Sequence, residues 1–292
     1  MKKIIHPRNL PLLVMIGSIL GLLLRYWTLG SGPNQNGLYE KQPVAWVLLW
    51  IVTALVLGLT FLLSRPLKNP GEYSDNFPAS VLGAIGTGLA AVGVLYAGMQ
   101  SILSISDLLD ILGGVLGLAS GVLLILAAVC RFKGKKAPFV CYTVTCLFFA
   151  LRVFNQCQLW SNESQISTFI FPFIASLCIM LAAYQRACFD VDLGKRSAYI
   201  FWALLAVYFS ILSLPSLRNL LFYGTMAAWL LTNLCSLRPL KKRKVTPEAE
   251  PAPAEEIPAA AEEAPAPQPE AEEAAPAEDA TVQELKGWLD QH

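Results

Sequence analysis

The amino-acid sequence predicts an all-α integral membrane protein, a bundle of eight transmembrane helices with a disordered C-terminal tail. Three observations carry this. Of the 292 residues, 55% are hydrophobic and only 15% are charged, whereas a soluble chain uses about 25% charged residues to cover itself. The apolar residues gather in blocks about 20 long, the length at which a helix crosses roughly 30 Å of hydrocarbon. The Lys and Arg residues collect in alternate loops between those blocks, which is how orientation across a bilayer is set. The composition argues against a soluble enzyme and against a disulfide-rich secreted module.

The eight segments are 10–28, 44–63, 79–99, 107–130, 138–155, 166–185, 197–213 and 217–236. Helix is the expected state, because backbone groups in lipid must be satisfied within the segment. The first segment follows Lys2, Lys3 and Arg8. It is expected to be an uncleaved span, since Arg25-Tyr26-Trp27 stands where a small-residue cleavage site would be. Cleavage near Gly30-Ser31-Gly32 is the alternative. The second segment is followed by Arg65 and Lys68. The third holds Gly83, Ala84, Gly86, Gly88, Gly93, Ala97 and Gly98, and the fourth Gly113, Gly117 and Gly121. Small residues let helix backbones approach closely, so these two spans are expected to pair within one chain; a face between two copies is the second reading. The fifth segment follows Arg131, Lys133, Lys135 and Lys136. The sixth contains Pro172, which removes a backbone donor and predicts a kink. The seventh follows Arg186, Lys195 and Arg196, and the eighth runs into Arg238 and 241–244. With eight spans, most basic residues share one side, and Arg25, Lys41, Arg152 and Arg218 face the other. Both termini are therefore expected in the cytoplasm. Trp27, Trp46, Trp160 and Trp202 fall near expected interfaces, while Trp50 and Trp229 lie deeper and read as packing residues.

Charge divides the chain. Residues 1–244 carry 21 Lys/Arg against 8 Asp/Glu, a net charge of +13, and residues 245–292 carry 1 against 13, a net charge of −12. The first part is the eight-helix membrane domain with its polybasic flank. Residues 245–280 are almost wholly Pro, Ala and Glu, too poor in apolar side chains to offset ordering entropy, and read as a disordered linker. Residues 281–292 read as a short amphipathic helix. Thr281 and Glu284 form a capping-box pattern, and Val282, Leu285, Trp288 and Leu289 share one helical face. So short a segment is not a stable helix alone. It fits a peptide that folds on docking into a cytosolic protein partner, with Trp288 as anchor. A frayed end without a partner is the other reading.

Embedded charge is where chemistry is sought, because it is costly in lipid. Arg25, Arg152 and Arg218 cluster near the expected outer surface, with Asp107 and Asp110 on one face of the fourth span. One reading is a ligand-binding pocket for an anionic small solute, since guanidinium forks match carboxylate and phosphate; Asn155, Gln156 and Gln158 would line it. The other is structural: Asp107 and Asp110 favour the first turn of a helix opened by Ser106, and the arginines reach for headgroups. No catalytic residue, cofactor or metal site is expected. His6 and His292 lie at opposite chain ends, and the seven cysteines show no C-x-x-C spacing. Phosphate-binding loops, nucleophile elbows and metalloprotease motifs are missing. The basic loops are accounted for by topology, so nucleic acid is not an expected partner. The loop Phe189-Asp190-Val191-Asp192 reads as a solvated turn.

The stretch Gly21-Leu22-Leu23-Leu24-Arg25, the later Gly37-Leu38, and Tyr184-Gln185-Arg186-Ala187-Cys188-Phe189-Asp190 resemble a set of uncharacterised multi-pass membrane proteins of clostridial-type bacteria. The resemblance covers most of the membrane body, excludes the tail, and implies a bacterial cytoplasmic membrane. It implies no activity and no catalytic residues. The expected function is that of a non-catalytic scaffold, sensor or complex subunit that recruits a cytosolic partner through its tail. The alternative is a small-solute transporter or channel using the outward-facing Arg/Asp cluster.

Overall fold

The computed structural model describes residues 10–30, 43–67, 72–104, 107–162, 166–215 and 217–238. These form α1 (Leu10–Gly30), α2 (Pro43–Ser64), a single turn α3 (Tyr73–Asn76), α4 (Val81–Leu103), α5 (Leu108–Phe132), α6 (Phe139–Asn162), α7 (Ile166–Asp190), α8 (Arg196–Leu212) and α9 (Leu217–Cys235). All eight apolar segments are helices, and α3 is an addition the sequence did not announce. Among the described residues there is no strand. Six helices (α1, α2, α4, α5, α6 and α7) contain stretches of 19 to 25 residues long and apolar enough to cross a membrane. The chain is therefore a multi-pass membrane protein in contact with lipid. The apolar helices Arg196–Leu212 and Leu220–Cys235 are shorter than these six, so the expectation of eight spans is met in six. The chain divides into a unit over Met1–Lys242 and a second over Arg243–His292. Every described residue belongs to the first; the linker 245–280 and the face Val282, Leu285, Trp288 and Leu289 lie outside the described residues.

Helices α4 to α9 form a closed ring in chain order, each packed on the next, with α9 returning to α4. Short connections favour such antiparallel neighbours. The α1–α2 hairpin packs outside the ring against α8. Helix α8 thus has protein on nearly all sides, and Ala203 to Leu212 are buried without a break. The ring encloses side chains. Phe148 and Phe149 of α6 meet Phe222 of α9, with ring centres 6.5 and 5.8 Å apart. Tyr142 of α6 stacks parallel on Trp229 of α9 at 6.4 Å. These contacts cross between helices that are not neighbours around the ring.

The α4–α5 contact is as close as the small residues predicted. A methyl group built on Gly117 would stand 2.8 Å from Gly98 Cα, and one on Gly98 would stand 3.0 Å from the Leu118 amide nitrogen. Gly114 belongs to this contact, 3.2 Å from the Gly98 carbonyl by the same measure, whereas Gly113 meets only Leu151, at 3.8 Å. Gly113, which the four-residue spacing selects, lies one residue off the contacting face. On its other side α4 uses Gly86 and Gly93 as notches for Thr232 and Thr225 of α9.

Polarity is arranged as lipid demands. Large apolar residues such as Leu12, Leu23, Leu55, Leu62, Val92 and Val122 are exposed on the helix flanks. Buried hydroxyls are satisfied by the carbonyl one turn back, as at Ser18, Thr53, Thr60, Thr87, Thr145 and Ser176. Others also join helices: Ser120 donates to Thr145 at 2.9 Å, and Thr53 pairs with Tyr208 at 2.9 Å. Helix α7 continues through Pro172, whose carbonyl accepts from the Tyr223 and Ser176 hydroxyls, both at 2.9 Å. Trp229 is buried as expected, but Trp50 is 36% exposed, its ring stacked on Phe171.

Candidate functional site

One end of the ring gathers the most buried charge. Helix α5 ends there with Arg131, α7 with Arg186 and Asp190, and α8 begins there with Arg196. The three arginines are only 1–2% exposed. By sequence they are topology-setting loop residues, yet all three are buried, and Arg131 and Arg196 are among the largest fully buried side chains. This end is called the basic end below.

Local structure explains how the chain turns here. Helix α5 closes with Lys135 N–H bonded to the Cys130 carbonyl and Gly134 N–H to that of Arg131, with Gly134 at φ 69°. Helix α7 closes the same way: Leu193 N–H bonds to the Cys188 carbonyl and Asp192 N–H to that of Phe189. Asp192 occupies the left-handed position at φ 60°. This helix ending needs a left-handed residue and usually takes Gly. Asp is among the few others that tolerate it, and here its carboxylate has two partners. One oxygen accepts from Tyr73 N–H at 2.9 Å, and the other pairs with Lys136 Nζ. Asp192 thereby pins α3 to the connections after α5 and α7. The Lys136 ammonium and the Tyr73 amide hold its carboxyl below the usual carboxylate range.

Buried guanidinium groups need partners, since an uncompensated charge costs several kcal/mol, on the order of 3–5 when one member of a pair is removed. Arg186 donates to Asp190 at 3.1 Å with both side chains buried. The loop Phe189–Asp192 is thus an ion-paired anchor, and the solvated-turn reading fails at Asp190. Aromatic faces supply most of the rest. The Arg186 guanidinium lies 4.9, 4.2 and 4.7 Å from the ring centres of Tyr73, Phe77 and Tyr142. Arg131 lies 4.9 Å from that of Phe77. Such contacts contribute about 0.5–2 kcal/mol each, most when desolvated. Arg131 fits because residue 83 is Gly: a methyl group there would stand 3.0 Å from its Nε. Arg131 Nη2 donates to Ser236 at 2.9 Å; Arg196 donates to the Asn76 side chain at 3.2 Å and to the Arg238 carbonyl at 2.6 Å. Arg131 Nε and Nη1, Arg186 Nε, Arg196 Nε and Asp190 Oδ2 have no hydrogen-bond partner among the described residues.

The residues singled out at the opposite end are only partly brought together. Asp107 is itself the N-cap of α5, and the Asp110 carboxylate accepts from the Asp107 N–H at 3.4 Å, a reciprocal capping box. Ser106 lies outside the described residues. Asn155 of α6 donates to Asp110 at 3.4 Å. Arg152, one turn before Asn155, places its guanidinium 4.2 Å from the Phe222 ring centre and 5.9 Å from that of Tyr223. Gln156 Nε2 donates to the buried Tyr223 hydroxyl at 3.2 Å, and the Ser176 oxygen lies 3.0 Å from it. Asp110 and Arg152 therefore sit on adjoining helices, Asp110 bonded to Asn155 and Arg152 packed against the rings of Phe222 and Tyr223. Arg25 is buried on α1, bonded to the Leu212 carbonyl, with its guanidinium 4.5 Å from the Phe171 ring centre. It does not reach out to headgroups. Arg218 is in the first turn of α9, and its side chain lies outside the described residues.

The Tyr223 node and the aromatic cage were hidden from sequence because their aromatic members look like ordinary span residues. The available signal was the Arg186/Asp190 spacing of four, inside an apolar run. Among the described residues no three His, Cys, Asp or Glu side chains come together as metal ligands. No protein-family model matches this chain, and neither a curated protein nor a solved structure matches it.

Proposed function

We propose that this multi-pass membrane protein is a non-catalytic scaffold, sensor or complex subunit of a bacterial cytoplasmic membrane. It recruits a cytosolic partner through Val282, Leu285, Trp288 and Leu289. The observation that supports the reading is the way the basic end grips the chain beyond α9. Arg131 holds Ser236, Arg196 holds the Arg238 carbonyl, and Arg238 N–H donates to the Asn76 carbonyl at 3.1 Å. A docking peptide tethered from a fixed point works at a high effective concentration, set by linker length. Eight spans with both termini cytoplasmic belong to the same proposal. Helices α8 and α9 run between the same two ends of the ring as the longer helices. An α-helix of 17 residues rises about 25 Å, a shortfall that local bilayer thinning accommodates. The test is affinity capture from native membranes, full-length chain against a chain ending at Asp279. A partner captured only by the full-length chain is expected; identical, empty captures from both would overturn the reading.

A second reading, a transporter or channel for an anionic small solute, draws on the Tyr223 node. Arg152 Nε and Gln156 Oε1 are buried there without hydrogen-bond partners among the described residues. The aromatic filling between α6 and α9 weighs against it, because a solute path through the ring would have to part those side chains.

A further inference from the structure

We propose that the groove between α2 and α8 at the basic end binds one anionic phospholipid, its phosphate on Arg65 and one acyl chain against Phe61 and Trp202. The groove has a volume of about 530 Å³. Phe61, Ser64 and Arg65 form one wall, and Ser197, Phe201 and Trp202 the other. Its chemistry is graded along its length. Arg65 immediately follows the apolar stretch Val44–Ser64, at the level where headgroups begin, and the two serines lie beside it. One turn deeper are Phe61 and Phe201, ring centres 5.9 Å apart, and then Trp202, 4.9 Å from Phe201. This polar-to-apolar order is that of a phospholipid from phosphate to chain.

The occupant follows from where the groove opens and from its charge. It lies on the flank of apolar helices, so bilayer lipid is what meets it. The Arg65 guanidinium carbon lies over the Phe61 ring, 4.3 Å from its centre. Arg65 is exposed, and the N–H fork of a guanidinium matches phosphate oxygens. Among the described residues Arg65 has no carboxylate partner, whereas Asp190 and Asp192 at this end are held by Arg186 and Lys136. An anionic headgroup is therefore favoured over a zwitterionic one.

Native mass spectrometry of the full-length protein in detergent tests this, with phosphatidylglycerol or phosphatidylcholine of identical acyl chains added. The first phosphatidylglycerol adduct is expected to bind about fivefold tighter than phosphatidylcholine, the factor one basic side chain contributes toward anionic lipid. Arg65→Gln, an exposed position, should bring the two lipids level, and Ala198→Trp, which fills the groove, should remove the first adduct of both. If Ala198→Trp does not fold, Arg65→Gln decides alone. Equal binding of the two lipids to the wild type, or an unchanged preference in Arg65→Gln, would overturn the proposal. So would an adduct that appears only when the chain ends at Asp279, which would put the tail in the groove.

Discussion

Replacing Gly117 with Ala tests whether the α4–α5 contact is as close as described. The new methyl group would stand 2.8 Å from Gly98 Cα and 3.1 Å from Phe148 Cε2. The nearer neighbour is backbone, so no side-chain rotation relieves it and the two helices must part. Overpacking of this kind costs about 1–3 kcal/mol, and Ala returns roughly 0.5–1 kcal/mol of helix propensity. The net loss is then about 0–2.5 kcal/mol, which lowers the unfolding midpoint by up to roughly 5–10 °C in a domain of this size. Gly88 is the internal control, because nothing lies within 4 Å of its would-be methyl group. Gly88→Ala gains propensity without a clash, and its midpoint should stay or rise. The assay is thermal unfolding in detergent with a thiol-reactive dye, reporting the burial of Cys141 and Cys178. Equal midpoints for the two variants would refute the close packing.

Three further predictions concern charge and orientation. Asp190→Asn leaves Arg186 buried without its ion partner and is expected to cost about 3–5 kcal/mol; an unfolding midpoint within 2 °C or so of wild type would mean that the aromatic faces carry that charge alone. Asp192 has a folded-state pKa held below its unfolded value of about 3.9. Its contribution to stability is thus complete above about pH 5 and is lost as pH falls through the folded value. Asp192→Asn, tolerated at this backbone position, should lower the midpoint at pH 6, and the gap to wild type should narrow below pH 4; a constant gap would contradict the linkage. A variant keeping only Cys157, which is exposed near the end of α6, should react with a membrane-impermeant maleimide added to intact cells. Labelling only in inverted vesicles would reverse the proposed orientation.

Much of the architecture was legible because lipid imposes few solutions. The eight apolar segments became helices with most bounds shifted by one to four residues, although α6 and α7 run seven and five residues past the expected ends, and the glycines of the third and fourth spans announced their close pairing. The functional residues were less legible. Asp107 and Asp110 can cap a helix or line a pocket, and only their hydrogen bonds distinguish the two uses. Arg131, Arg186 and Arg196 have the same sequence signature as basic residues that merely orient a loop. Their burial depends on the single turn α3 and the residue after it, which no hydrophobic periodicity could reveal: Tyr73 and Phe77 face Arg186, Phe77 also faces Arg131, and Asn76 bonds Arg196.

The sequence by itself determined that this chain is helical and crosses a membrane, because apolar length and the cost of unsatisfied backbone in hydrocarbon leave no other state. Tertiary structure decided which spans touch. The ring from α4 to α9, the outer placement of α1 and α2, and the meeting of α6 with α9 rest on shape complementarity between surfaces of similar composition. Hydropathy is blind to that difference. It also decided which charges are buried, since an arginine at a helix end takes its environment from helices distant in sequence. Arg186, held by Tyr73, Phe77 and Tyr142, could be placed only once those helices were packed.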